Sequence, residues 1–200
     1  MLSFILILIA AYLLGSIPSS IWIGKWLRGI DLRKYGSGNA GATNAFRVLG
    51  KGPGTMVLAL DMLKGVAAIY LSSLQTLLNR GTEGWIILQI TLGLIAVAGH
   101  IFPVFAGFRG GKGVATIAGI GLALHLPSAL AALGVYILVV VIGRISSLGS
   151  LAAVVSYPLW MVWIFQTDYV SLKVFSLMVP VLVLITHRKN LVRLMKGSEH

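Results

Sequence analysis

The first 23 residues, Met1 to Ile23, contain no charged side chain. About 20 consecutive apolar residues are what a helix needs to cross the hydrocarbon core of a bilayer. Four further runs are predominantly apolar over similar lengths: 54–78, 85–105, 148–165 and 169–186. Another stretch, 114–142, is interrupted at His125-Leu126-Pro127. A soluble fold cannot absorb this much apolar sequence. Hydrophobic residues make up 58% of the 200 and charged ones 10%, where soluble domains carry about 25% charged residues. The mean hydropathy is +0.95, and a small domain has too much surface for its core to hide that.

Charge sets the expected orientation. The first run lacks a basic start and is followed by Lys25, Arg28, Arg33 and Lys34. That order reads as a retained span rather than a cleaved signal peptide, with the N-terminus outside. Segments 24–52, 106–113 and 187–196 are rich in Lys and Arg and are placed in the cytoplasm. An even number of crossings must then separate 113 from 187. Two are supplied by 148–165 and 169–186, so 114–142 crosses twice or not at all. A re-entrant hairpin there gives five spans. Two crossings give seven, with a break at Pro127, since proline disrupts a helix interior. Each half, 114–126 and 127–142, is about 20 Å long. The seven-span reading puts Lys and Arg at 25, 28, 33, 34, 47, 51, 109, 112, 144, 188, 189, 193 and 196 inside, 13 of the 16. The expectation is an all-α polytopic protein of the plasma membrane. It forms a single membrane domain over 1–200, with spans near 2–23, 54–78, 85–105, 114–126, 127–142, 148–165 and 169–186. The C-terminus and the glycine-rich loops are cytoplasmic. The net charge of +11 then belongs to orientation and headgroup contacts rather than to nucleic acid. With no cysteine, disulfides and thiolate metal sites are excluded.

Three segments outside the runs carry chemistry. The first is Gly36-Ser37-Gly38-Asn39-Ala40-Gly41-Ala42-Thr43-Asn44, followed by Arg47. Glycine lets backbone N–H groups turn toward a ligand. Ser37, Asn39, Thr43 and Asn44 add neutral donors, and Arg47 adds a fork for phosphate oxygens. The second runs from Gly99-His100 through Phe108-Arg109-Gly110-Gly111-Lys112-Gly113 to Thr116. Arg109 and Lys112 flank a glycine turn that opens a helix, and a helix N-terminus is a natural anion site. It is not a Walker A loop, because Ala106 and Gly113 stand where that motif needs Gly and Ser or Thr. The third is 187–199. On a helical projection His187, Asn190, Leu191 and Leu194 share one face, opposite Lys189, Arg193 and Lys196. The basic face meets headgroups or water, and the other turns His187 and Asn190 inward. Asp61 and Lys64 sit three apart inside the second run, where they can pair. An intramembrane charge is a functional candidate, and a structural ion pair is the equal alternative. No metal-ligand constellation is visible among the four His.

Taken together and in order, these segments resemble the bacterial acyl-phosphate:glycerol-3-phosphate acyltransferase family. The resemblance rests on GSGNAGATN with Arg47, on GHIFPVFAGFRGGKGVAT and on HRKNLVRLMKGSE, and it covers the whole chain. It implies transfer of a fatty acyl group from acyl phosphate to the 1-position of glycerol 3-phosphate. The products are lysophosphatidic acid and phosphate, with no cofactor and with membrane lipids as surroundings. It also implies that the second motif holds glycerol 3-phosphate, and that Ser37, Arg47, Asn190 and Glu199 occupy functionally important positions. The candidate catalytic residues are thus Ser37, Arg47, Lys112, His187, Asn190 and Glu199. Candidate substrate contacts are Gly36, Gly38, Asn39, Gly41, Thr43, Asn44, His100, Arg109, Gly110, Gly111, Gly113, Thr116, Arg188 and Arg193, with Asp61 and Lys64 beside them.

The residues agree with this chemistry: both substrates carry phosphate, and one carries a fatty chain. The His-x4-Asp pair of acyl-CoA-dependent glycerophosphate acyltransferases is absent, since no His has Asp five positions on. With no nucleophilic triad evident, direct transfer is expected rather than an acyl-enzyme. The proton of the acceptor hydroxyl goes either to His187, since an unperturbed imidazole is a suitable base near neutral pH, or to the donor's own phosphate. A small transporter of phosphorylated solutes is the alternative reading, because broken helices and glycine loops facing anions also suit one.

Overall fold

The computed structural model describes residues 2–199, and they are helical, with no strand among them. They pack as two compact units, Met1–Ile120 and Gly121–His200.

In the first unit, α1 (Leu2–Gly15) and α2 (Ser19–Arg28) replace the single helix expected over 2–23. The two are bent by 41°. The cause is Pro18, which has no N–H to continue the ladder; Ser16 N still reaches Tyr12 O at 2.9 Å, while Trp22 N starts a new ladder on Pro18 O at 3.0 Å. α3 (Ala42–Leu49) is short and amphipathic. It packs Ala45 and Leu49 with Ile23, Leu32 and Val57. α4 (Lys51–Tyr70) continues into a 3-10 turn, Leu71–Leu74, so the expected run to 78 ends at 74. α5 (Glu83–Ile101) starts at a Thr82 cap. Ile7 and Ala11 of α1, Ala68 of α4, and Leu88, Leu92 and Ala96 of α5 form one core. α6 (Val114–Leu124) begins beside α4, where Gly65 lets the Thr116 carbonyl lie against the α4 backbone.

In the second unit, α7 (Leu126–Gly143) and α8 (Ser146–Pro158) form a hairpin turned by Arg144, whose φ of 54° is left-handed. The break expected at Pro127 falls at His125. Pro127 lies in the first turn of α7, where its missing N–H costs nothing. His125 Nδ1 caps that turn by accepting from Ser128 N at 3.4 Å. After Pro158 the helix loosens into a π-helical stretch, Leu159–Ile164. α9 (Val170–Thr186) buries Leu172, Phe175, Ser176, Val179 and Val183 along one stripe. α10 (Arg188–Met195) bends away from it by 69° at His187.

Lys51–Leu74, Glu83–Ala106, Leu126–Gly143 and Ser146–Ile164 are long and apolar enough to cross a bilayer. Counting each bent pair as one span gives up to six, and Val114–Leu124 is shorter. α7 exposes Leu130, Ile137, Leu138, Val141 and Ile142, a face that suits lipid tails.

Candidate active site

The first glycine-rich segment is ordered by its own side chains. Gly29, at φ 65°, ends α2. Asp31 then accepts from Arg33 N at 3.0 Å and caps the turn Leu32–Lys34. The same carboxylate holds the Arg33 guanidinium through Nε at 3.0 Å and Nη2 at 2.7 Å. That hydrogen bonding keeps Asp31 below its ordinary 3.8, against the opposing effect of burial. A carboxyl lowered on folding stabilises above its unfolded value and loses that contribution as pH falls through the folded one. The pair is therefore intact at neutral pH and weakens only under strong acid.

Asn44 is 1% exposed, and its amide closes the loop. Nδ2 donates to Leu32 O at 3.0 Å and Tyr35 O at 3.1 Å, and Oδ1 accepts from Ser37 N at 2.9 Å. Gly36 and Gly38 take φ of 58° and 73°, a region that side chains disfavour. A Cβ on Gly36 would also strike the Asn44 amide. Ser37 on the loop and Thr43 and Arg47 on α3 are exposed, and Asn39 is half-buried. The segment expected to offer donors to a ligand thus spends Asn44 on its own backbone.

The second segment folds back onto the end of α5. Gly110 N donates to Ile101 O at 3.0 Å, Gly111 N to His100 O at 3.2 Å, and Phe108 N to Pro103 O at 2.9 Å. Gly111 lies against the His100 ring and the Ala40 carbonyl, so a Cβ there has no room. Arg109 is exposed and Lys112 half-buried. Gly113, at φ 84°, leads into α6. Thr116 is buried and its Oγ1 lies 3.3 Å from His100 Nδ1.

The two segments meet. Arg33 Nη1 donates to Ala106 O at 2.7 Å and to Arg109 O at 3.4 Å, and Ala40 packs with Ala106 and Ile21. Ile17, Ala40, Asp61, Lys64, His100 and Gly111 line a small cavity behind the junction. Sequence reasoning assigned Arg33 only to orientation. Asp31-x-Arg33 is legible as a local pair, but a partner carbonyl 73 positions away is not.

The third motif belongs to the second unit. His187 and Asn190 are buried, as the helical projection expects, and Arg188 and Lys189 are exposed. His187 Nδ1 lies 3.0 Å from Val183 O. A carbonyl only accepts, so Nδ1 carries a proton there. Asn190 Nδ2 donates to Glu199 Oε1. Arg193 Nε lies 3.0 Å from Glu199 Oε2, which takes Arg193 off the purely solvent-facing stripe. Among the described residues, no group of three or more His, Cys, Asp or Glu is placed to hold a metal ion.

Residues 5–197 match the family model described as glycerol-3-phosphate acyltransferase. Relatives called glycerol-3-phosphate acyltransferase come from Synechococcus sp. strain CC9902 and Chlorobaculum tepidum. The first is 42% identical over 200 residues, covering 100% of this chain and 95% of that one. The second is 41% identical over 225 residues, covering 100% and 97%. Among solved structures, an integral membrane glycerol 3-phosphate acyltransferase, PlsY (YgiH), in its glycerol 3-phosphate form is similar with a TM-score of 0.86 and 38% identity. That match covers 99% of this chain and 94% of the other. Its lysophosphatidic acid form matches with a TM-score of 0.84 and 37% identity over the same shares.

Asn44→Ala is expected to loosen the first loop. It strands the Ser37 N–H and two carbonyls, and a buried group left unsatisfied costs about 1–3 kcal/mol. The purified protein should melt lower and be cut faster by protease within 36–43. A variant that melts and resists cleavage like the parent would remove Asn44 from this role.

Proposed function

We propose that this chain, which belongs to the glycerol-3-phosphate acyltransferase family, takes its acyl group from an acyl phosphate and places it on the 1-hydroxyl of glycerol 3-phosphate. It is an integral membrane protein of several helices, and its family activity is glycerol 3-phosphate acylation. The observation that carries the donor assignment is the junction of two glycine-rich loops held together by Arg33, one leading to Arg47 and the other to Lys112. Two such loops suit two phosphates, one on each substrate. The solved relatives in glycerol 3-phosphate and lysophosphatidic acid forms support the acceptor and the product.

In this reading Arg109, Gly110, Gly111, Gly113 and Lys112 take glycerol 3-phosphate, with Thr116 and His100 behind them. Ser37, Arg47, Thr43 and the N–H groups of the first loop take the acyl phosphate. The acceptor oxygen attacks the acyl carbon and the carbon–oxygen bond to phosphate breaks. Phosphate leaves with the electron pair, and Arg and Lys neutralise the developing charge. The hydroxyl proton passes to the departing phosphate. A second reading gives that proton to His187, whose Nδ1 is held by the Val183 carbonyl and whose Nε2 would take the proton. Asn190, Arg188 and Arg193 belong to the same set, and Glu199 holds Asn190 and Arg193 in place.

Purified protein given an acyl phosphate should release inorganic phosphate in step with lysophosphatidic acid, and only when glycerol 3-phosphate is present. Activity with acyl-CoA and none with acyl phosphate would sink the donor assignment. Arg47→Ala and Lys112→Ala should each fall by roughly tenfold to a hundredfold, the loss of one charged hydrogen bond, without unfolding. Wild-type turnover in a folded Lys112→Ala protein would refute its role.

The pH profile of His187→Ala separates the two proton routes. An acidic limb of unchanged shape and reduced height means substrate-assisted transfer, with His187 positioning. Loss of the limb assigns the base to His187.

For orientation we propose seven spans in the plasma membrane, N-terminus outside and C-terminus with the three motifs in the cytoplasm, from the charge parity across Pro127. Cysteines introduced at 127 and 168 should label from the outer side; labelling of 127 from the cytoplasmic side alone would leave only the hairpin.

A further inference from the structure

Four elements of the first unit converge on one polar node. Lys64 Nζ on α4 donates to Asp61 Oδ1 at 2.9 Å and to Ile17 O at 3.0 Å. The Ile17 carbonyl lies where α1 breaks before Pro18, and it also accepts from Ser19 N at 3.1 Å. In a span, backbone groups released by a break must be satisfied within the protein. Lys64 does this at Ile17, and Asp61 compensates its charge. The side chains of Lys64 and Asp61 are 5% and 2% exposed. A buried pair is poor evidence for stability as such, since desolvation offsets most of the attraction. Its place invites a different explanation.

Asp61 Oδ1 also lies 3.7 Å from His100 Nδ1, and the same nitrogen faces Thr116 Oγ1 at 3.3 Å. His100 is the seat of the second glycine loop. Its carbonyl accepts from Gly111 N, and its ring lies where a Cβ of Gly111 would be. Wherever the node holds His100, the Gly110–Gly111 turn follows, with Arg109 and Lys112 on either side. We infer that Asp61 and Lys64 are positioning residues for glycerol 3-phosphate, acting through His100 and Thr116 on the glycine turn. The inference rests on the reading that this turn takes glycerol 3-phosphate.

The double variant Asp61→Asn/Lys64→Met removes both buried charges together, which folded proteins commonly tolerate. Steady-state kinetics should show the KM for glycerol 3-phosphate raised by about tenfold or more, the range of a lost charged hydrogen bond. The KM for acyl phosphate should be unchanged and kcat affected less. Equilibrium binding of glycerol 3-phosphate, by calorimetry without donor, should weaken in parallel. Should that variant not fold, Thr116→Val carries the same reading with both charges in place. It should raise the glycerol 3-phosphate KM, and Thr116→Ser should restore it. An unchanged glycerol 3-phosphate KM in the folded variants overturns the inference. So does a rise in both KM values together, or a fall in kcat alone. A wild type that binds glycerol 3-phosphate but does not consume acyl phosphate defeats the donor assignment and leaves the node to be judged by the binding constant. A wild type that binds none overturns both.

Discussion

Where water is absent, a peptide group that leaves its helix must find another partner inside the protein. At Ile17 that requirement is met by an amine reaching across from α4. Much of the first unit follows from it. The amine needs a counter-charge, which Asp61 supplies one turn away. The carboxylate in turn faces an imidazole at the end of α5 and, through it, a threonine at the start of α6. Close backbone approach makes the arrangement tight, with Gly65 admitting the Thr116 carbonyl between α4 and α6. The break in the first helix is therefore a place where four segments are located relative to one another.

The loops obey the same rule with shorter reach. In the first, one buried amide serves two carbonyls and one N–H, so a nine-residue run without large side chains keeps a defined path. In the second, backbone donors return to the carbonyls at the end of α5. The third motif closes on itself through Asn190, Arg193 and Glu199. In each case glycine or a small polar residue is present because a neighbour occupies the space a larger side chain would need, or because φ is positive.

The apolar runs made helical character and the approximate limits of most helices legible, because length and hydropathy alone decide what a bilayer accepts. The helix breaks were only partly legible. Pro127 marked one to within two residues, yet the break before Pro18 falls inside an uncharged run that reads as one span. The difference lies in neighbours: the break near Pro127 has a polar His beside it that caps the next helix, whereas the carbonyl exposed at Ile17 is met by Lys64, 47 positions away. The motifs were visible as glycine-rich basic strings, and the Asp61–Lys64 pairing as an i, i+3 spacing. The division of labour within the motifs was not. Nothing in the string says that Asn44 faces its own loop or that Glu199 holds Asn190, because those assignments depend on which carbonyls happen to be near.

Arg33 spans the two glycine loops with one planar group, gripped by Asp31 on one edge and by the Ala106 carbonyl on the other. Its length acts as a fixed spacer. A change of length in either loop, or its exchange for a relative's counterpart, alters the gap that this group must span. In a chimaera, the unit of exchange is therefore the pair of loops with residues 31–33 and 106, although 73 positions and three α-helices separate Arg33 from Ala106 in the chain. Divergence in this part of the molecule is constrained to be joint, and compensating changes should be sought across that gap rather than within either motif.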